Sequence, residues 1–160
     1  DYFTKNEINN GQRDYHPNSD KFFQIAIIEL SSSKFEVYEG MSFYFKNNDN
    51  TYKIYGMRGG IFFHNNYDEC LVKKDEIEKD ISFMFNYIER IDHGTVVHDY
   101  DKSGKSTVTQ VEFLLDTSND SIVISCYDWS EKITNELGWT DNLSVEAYAK
   151  EYANWLREQN

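Results

Sequence analysis

The spacing Asp99-Tyr100-Asp101-Lys102-Ser103-Gly104 is the stretch whose residue types best fit a defined chemical task. Oxygen-bearing side chains at alternate positions of a short loop converge on a hard cation, and a glycine after them permits the sharp turn that calcium loops need. The predicted calcium ligands are Asp99, Asp101 and Ser103, with Gln110 at the twelfth position of such a loop. Glu112 is the nearest substitute for the bidentate glutamate usually found there. The same residues also make an ordinary polar turn leading into a strand, because Asp, Ser and Gly are turn formers. That simpler expectation is preferred.

The second chemically distinctive pair is Cys70 and Cys126, the two cysteines of the chain. Two is the number a single bridge needs, and in an oxidising compartment they are expected to form a disulfide. The chain begins at Asp1 rather than Met, which fits a processed, exported protein, so a secreted or periplasmic location is expected. Reduced cysteines would instead imply the cytoplasm. Cys126 as a nucleophile is disfavoured, because it lies on a strand between Ser125 and Tyr127 with no glycine-rich elbow.

Other candidate chemistry is weaker. Gly104-Lys105-Ser106-Thr107 has the end of a phosphate-binding loop, but Asp99 stands where its first glycine is required, and a carboxylate repels phosphate. His16, His64, His93 and His98 lack the paired spacing of a zinc site and are expected at the surface. Trp129, Trp139 and Trp155 offer stacking surface for a sugar or peptide, although packing is the more ordinary use of such rings. Asn119-Asp120-Ser121 and Asn142-Leu143-Ser144 match glycosylation sequons, expected by chance in an Asn-rich chain.

The elements that must position these residues follow from periodicity. Residues 1–20 read as an irregular polar arm, and residues 21–160 as one domain. Phe22 to Leu30 is an apolar run of strand length. Phe35, Val37, Met41, Phe43 and Phe45 share a period-two face, and Tyr52 and Ile54 begin a return strand that Gly56 and Gly59-Gly60 interrupt before Ile61. Leu71, Ile77, Ile81, Met84, Ile88 and Ile91 recur at helical spacing and predict an amphipathic helix over about 68–91, capped by Asp68. Thr95 to His98 is a short strand candidate. Val108–Leu115 and Ser121–Tyr127 predict a hairpin, Asp128 to Glu131 a helix start, and Gly138 that helix's end. Residues 143–148 fit strand or helix, and 149–158 a helix. The order predicts an α+β fold: one antiparallel sheet, a meander plus a hairpin, packed by a long helix and a C-terminal helix.

At 160 residues the chain can bury a core without metal. Its net charge of −12 excludes nucleic acid as a favoured partner, and its longest apolar runs are strand-sized, so no membrane insertion is expected. The predicted function is a non-catalytic exported domain that binds an unidentified protein or small ligand, cationic by preference, through its sheet face or acidic loops. The alternatives are an acidic inhibitor or immunity-type protein that neutralises a basic partner, and a small hydrolase with an unfamiliar site.

Overall fold

Apolar and polar residues alternate through most of the chain, and in the structure that alternation becomes a sheet with two differently furnished faces. The structure is a computed structural model that describes residues 11–16, 19–28, 37–51, 53–64, 66–85, 88–115 and 120–159. In chain order the elements are β1 (Gln12–His16), β2 (Ser19–Ile28), β3 (Gly40–Lys46), β4 (Ile54–Phe62), α1 (Tyr67–Met84), β5 (Ile88–Val97), β6 (Thr107–Leu115), β7 (Ser121–Asp128), α2 (Glu131–Leu137), β8 (Asn142–Tyr148) and α3 (Lys150–Gln159). Among the described residues one eight-stranded sheet runs β1-β2-β3-β4-β8-β7-β6-β5, and each neighbouring pair is antiparallel. The α+β expectation therefore holds, with two four-stranded meanders joined at β4 and β8.

Side chains on a strand alternate between faces, so the cross-strand register assigns each residue to a side. Val111, Ile124 and Val145 face one way, and their neighbours Glu112, Val123 and Glu146 face the other. On the first face, α1 carries the chain from β4 at the sheet centre to β5 at its edge. Cys70 and Ile81 of α1 pack there with Val111, Phe113, Ile124, Cys126 and Leu143. On the second face, Tyr152, Ala153 and Trp155 of α3 pack with Phe22, Tyr44, Val123 and Tyr148. Burial pushes the Tyr44 hydroxyl pKa up to about 12, with the Glu146 carboxylate adding to the effect. Tyr148 and Tyr152 are raised as well, again mainly by burial.

Several boundaries differ from the sequence expectation. The long helix ends at Met84, not near residue 91, and Ile88 and Ile91 belong to β5. A spacing of three on a strand puts two residues on opposite faces, so Ile88 supports the α1 core while Ile91 opens to the α3 side beside Glu112 and Leu114. Asn66, not Asp68, caps α1, its side chain accepting from the Glu69 N–H at 3.4 Å. The arm expected over residues 1–20 contributes β1 and the start of β2, with Arg13 lying over the Phe23 ring at 3.8 Å; residues 1–10 lie outside the described residues. The glycines expected to interrupt the return strand sit inside β4 instead. A Cβ at Gly59 would come within 2.6 Å of the Tyr38 ring, so the missing side chain admits an aromatic rather than breaking the strand.

Residues 143–148 are strand, and α2 starts at Glu131 behind Ser130 while Asp128 ends β7. Gly138 terminates α2 as expected, in the left-handed conformation at φ 71°.

Candidate ligand-binding groove

Of the residues proposed as calcium ligands, Asp101, Gln110 and Glu112 have their side chains engaged by neighbours within the fold. Asp101, buried in the β5–β6 turn, accepts from the backbone of Ser103 at 2.9 Å and from the Ser106 and Ser130 hydroxyls at 2.7 and 2.8 Å. It thereby ties that turn to the start of α2. Asp99 is exposed in the same turn. Gln110 donates to the Ser125 hydroxyl at 3.0 Å, and Glu112 lies between Arg157 at 2.6 Å and His93 at 3.2 Å. Among the described residues, no group of three or more His, Cys, Asp or Glu side chains is placed to hold a metal.

These hydrogen bonds hold the Asp101 carboxyl well below the usual carboxylate range, with Ser103 the largest contributor and Ser106 next. A depressed folded pKa gives stability that is present above the unfolded value, about 3.9, and is lost as pH falls below it. Asp101→Asn is therefore expected to lower the neutral-pH Tm by roughly 5 °C and to flatten its decline in acid. Parallel Tm–pH curves for the two proteins would show that the carboxylate is not stabilised by its donors.

Cys70 and Cys126 are placed with their sulfurs 2.04 Å apart, so neither is a free thiol. A cysteine nucleophile is thus removed from the hydrolase reading. Of the histidines, His98 is half-buried against Trp129 and Tyr127, at ring-centroid distances of 4.7 and 5.7 Å. Burial lowers its pKa.

An extended concavity lined by described residues lies on the α3 face, over the part of β1–β4 and β8 that α3 leaves uncovered. It is an open groove of about 620 Å³. Its floor follows one cross-strand row, Gln12–Ala26–Ser42–Arg58, with Gly40 and Gly60 in the row beside it. Asp14 and Gln24 line the β1 end, while Trp129, Trp139 and His64 line the other. A smaller cleft of about 260 Å³ between β1, β2 and α3 is walled by core rings, including Phe22, Tyr152 and Trp155.

No protein-family model, curated protein or solved structure matches this chain. The site's meaning therefore rests on its own geometry.

Among the described residues that line the groove, Arg58 is a fixed cation. Arg58 pairs with Glu146 at 3.2 Å and lies over the Tyr127 ring at 5.5 Å. Burial disfavours its charge, but the Glu146 carboxylate together with the Tyr127, Tyr44 and Tyr148 hydroxyls offsets this, and the guanidinium pKa is raised. Glu146 is itself anchored by the Ser144 hydroxyl at 3.0 Å and by a short hydrogen bond from the Tyr148 hydroxyl. At the opposite end, Gln12 and Gln24 donate to the two oxygens of Asp14 at 3.2 and 3.5 Å. The aromatic wall is equally supported: Trp139 packs against Trp129 and Tyr100, each at 4.8 Å between centroids, and Trp129 stacks on Tyr127 at 5.7 Å. Amides, a carboxylate, a hydroxyl and a guanidinium thus share one concavity with a braced indole.

The sequence reading missed this assembly. Its signal was present at the even positions of β2–β4, where Gln24, Ala26, Ser42 and Arg58 interleave with the apolar Ile25, Ile27, Met41, Phe43 and Met57. Of the tryptophans, Trp155 is core, whereas Trp139 remains 38% exposed.

Proposed function

We propose that this protein is a non-catalytic ligand-binding domain working in an oxidising compartment outside the cytoplasm, with the groove on the α3 face as its site. The observation that carries this reading is an open concavity whose polar groups are already oriented by neighbours while Trp139 stays accessible. Preorganised side chains cost little further ordering when a ligand arrives. The Cys70–Cys126 pair, at disulfide distance, supports the exported setting.

A fragment screen read by amide and indole NMR shifts tests the site without assuming a ligand. Perturbations are expected to cluster at Ser42, Gly60 and the Trp139 indole, and to vanish in Ser42→Phe, which fills the floor. Shifts confined to α1 or to the β5 edge would sink the groove as the binding site.

A further inference from the structure

We propose that the groove binds a neutral oligosaccharide, with one pyranose ring stacked on Trp139 and the hydroxyls of the successive sugars along the trench read by Arg58, Ser42, Gln24 and Asp14. This deepens the binding reading above and rests on it. A pyranose has an apolar C–H face and a rim of hydroxyls that both donate and accept. Its complement is a flat aromatic surface beside planar hydrogen-bonding groups, since indoles bury apolar surface at little entropic cost. Trp139 provides that surface, held at 4.8 Å from both Trp129 and Tyr100 while 38% exposed.

The polar set is also of the right kind. The Gln12 and Gln24 side-chain amides are engaged through their N–H groups with Asp14, which leaves their carbonyl oxygens as acceptors. Arg58 keeps about a third of its side chain in solvent, so its guanidinium can donate to vicinal hydroxyls. Five adjacent strands, β1 to β4 and β8, underlie the groove; at ~4.8 Å per strand this is a trench of roughly 19 Å, long enough for several linked sugars.

Charge and topology disfavour two competitors, an anionic ligand and a strand-adding peptide. The chain carries −12 overall and Arg58 is already neutralised by Glu146, so an anionic ligand meets an unfavourable field. A peptide is disfavoured because the groove lies on the sheet's face. The backbone groups of β2, β3, β4 and β8 beneath it are committed to ladders on both sides, so the groove floor offers none for strand addition. Side chains do the recognition, as a polyol requires.

The test is a tryptophan-fluorescence titration with neutral tetra- to hexasaccharides of glucose, mannose, xylose and N-acetylglucosamine, alongside hexalysine. At least one sugar is expected to give a saturable change that is insensitive to added salt, as a neutral ligand should be. Trp139→Ala is expected to weaken it by about tenfold or more, Trp139→Phe to recover part of that loss, and Ser42→Phe to abolish binding with the fold intact by circular dichroism. If no sugar saturates and hexalysine does, in a salt-dependent manner that Ser42→Phe abolishes, the ligand class is overturned and the groove survives. If a sugar binds equally well to Ser42→Phe and Trp139→Ala, the groove itself is overturned. If neither probe binds, the oligosaccharide proposal falls, and the fragment map alone decides the site.

Discussion

Reduction of the Cys70–Cys126 bond is expected to lower the Tm by about 10 °C. The bridge closes a loop across a sequence separation of 56, and the loop-closure account assigns roughly 4 kcal/mol to a loop of that length. For a chain of this size each kcal/mol corresponds to roughly 2–4 °C. The structural setting supports the upper part of the usual range. The bond joins the first turn of α1 to the middle of the sheet, with both sulfurs fully buried in one core. Two polar contacts also tie α1 to the sheet: Tyr67 shares a hydrogen bond with Thr109 at 2.6 Å, and Glu78 pairs with Arg90 at 2.6 Å. The measurement is thermal unfolding with and without reductant, with alkylation and intact mass reporting the thiols. The double variant Cys70→Ala/Cys126→Ala should reproduce the reduced protein. An unchanged Tm after complete alkylation would mean that the packing of Ile81 and its neighbours anchors α1 without the bond.

The parts of this fold legible in the sequence were those whose local pattern and tertiary fate agree. Val111, Phe113 and Leu115 opposite Ile122, Ile124 and Cys126 read as a hairpin because one face of β6 and β7 is buried under α1. The end of α1 was not legible. Ile88 and Ile91 continue the helical spacing, and only the pairing of β5 with β6 shows that they serve opposite faces of a strand. β1 was hidden for a different reason: Gln12 to His16 is an edge strand, and edges carry polar residues on both sides.

The candidate site was half legible. Asp101 stood out as a residue with a special task, and in the structure it gathers the donors of Ser103, Ser106 and Ser130. The groove required knowing which face α3 leaves open, and Trp129 and Trp139 come together only because the end of β7 and the exit of α2 meet in space. Periodicity marks which residues share a face. It does not say whether that face is covered.

Glu146→Ala is expected to destabilise the protein by roughly 2–3 kcal/mol, below the full cost of breaking a buried ion pair because Arg58 is partly solvated. The loss has several parts. Arg58, placed over the Tyr127 ring, would lose its counter-charge, and the hydroxyls of Ser144 and Tyr148 would lose their acceptor. Glu146→Gln keeps the shape and one acceptor oxygen, so about 1 kcal/mol is expected from it. A double-mutant cycle with Arg58→Met should show coupling, whereas additive losses would mean the two side chains act independently.

A second readout separates charge from packing. The Glu146 carboxylate adds to burial in raising Tyr44 to about 12. For a tyrosine raised above its unfolded value near 10, the stabilising contribution is complete below pH 10 and is lost as pH climbs through the folded value. Glu146→Gln should therefore bring the alkaline absorbance transition of the buried tyrosines to lower pH, although burial itself is unchanged. A variant that loses stability while its tyrosines ionise at the wild-type pH would show that Glu146 fills space beneath the groove without setting its field. Arg58 would then keep its place without that charge, and any sugar binding should survive the substitution. If the tyrosine transition moves and binding weakens together, the carboxylate under the sheet face is what holds the guanidinium in place for the ligand.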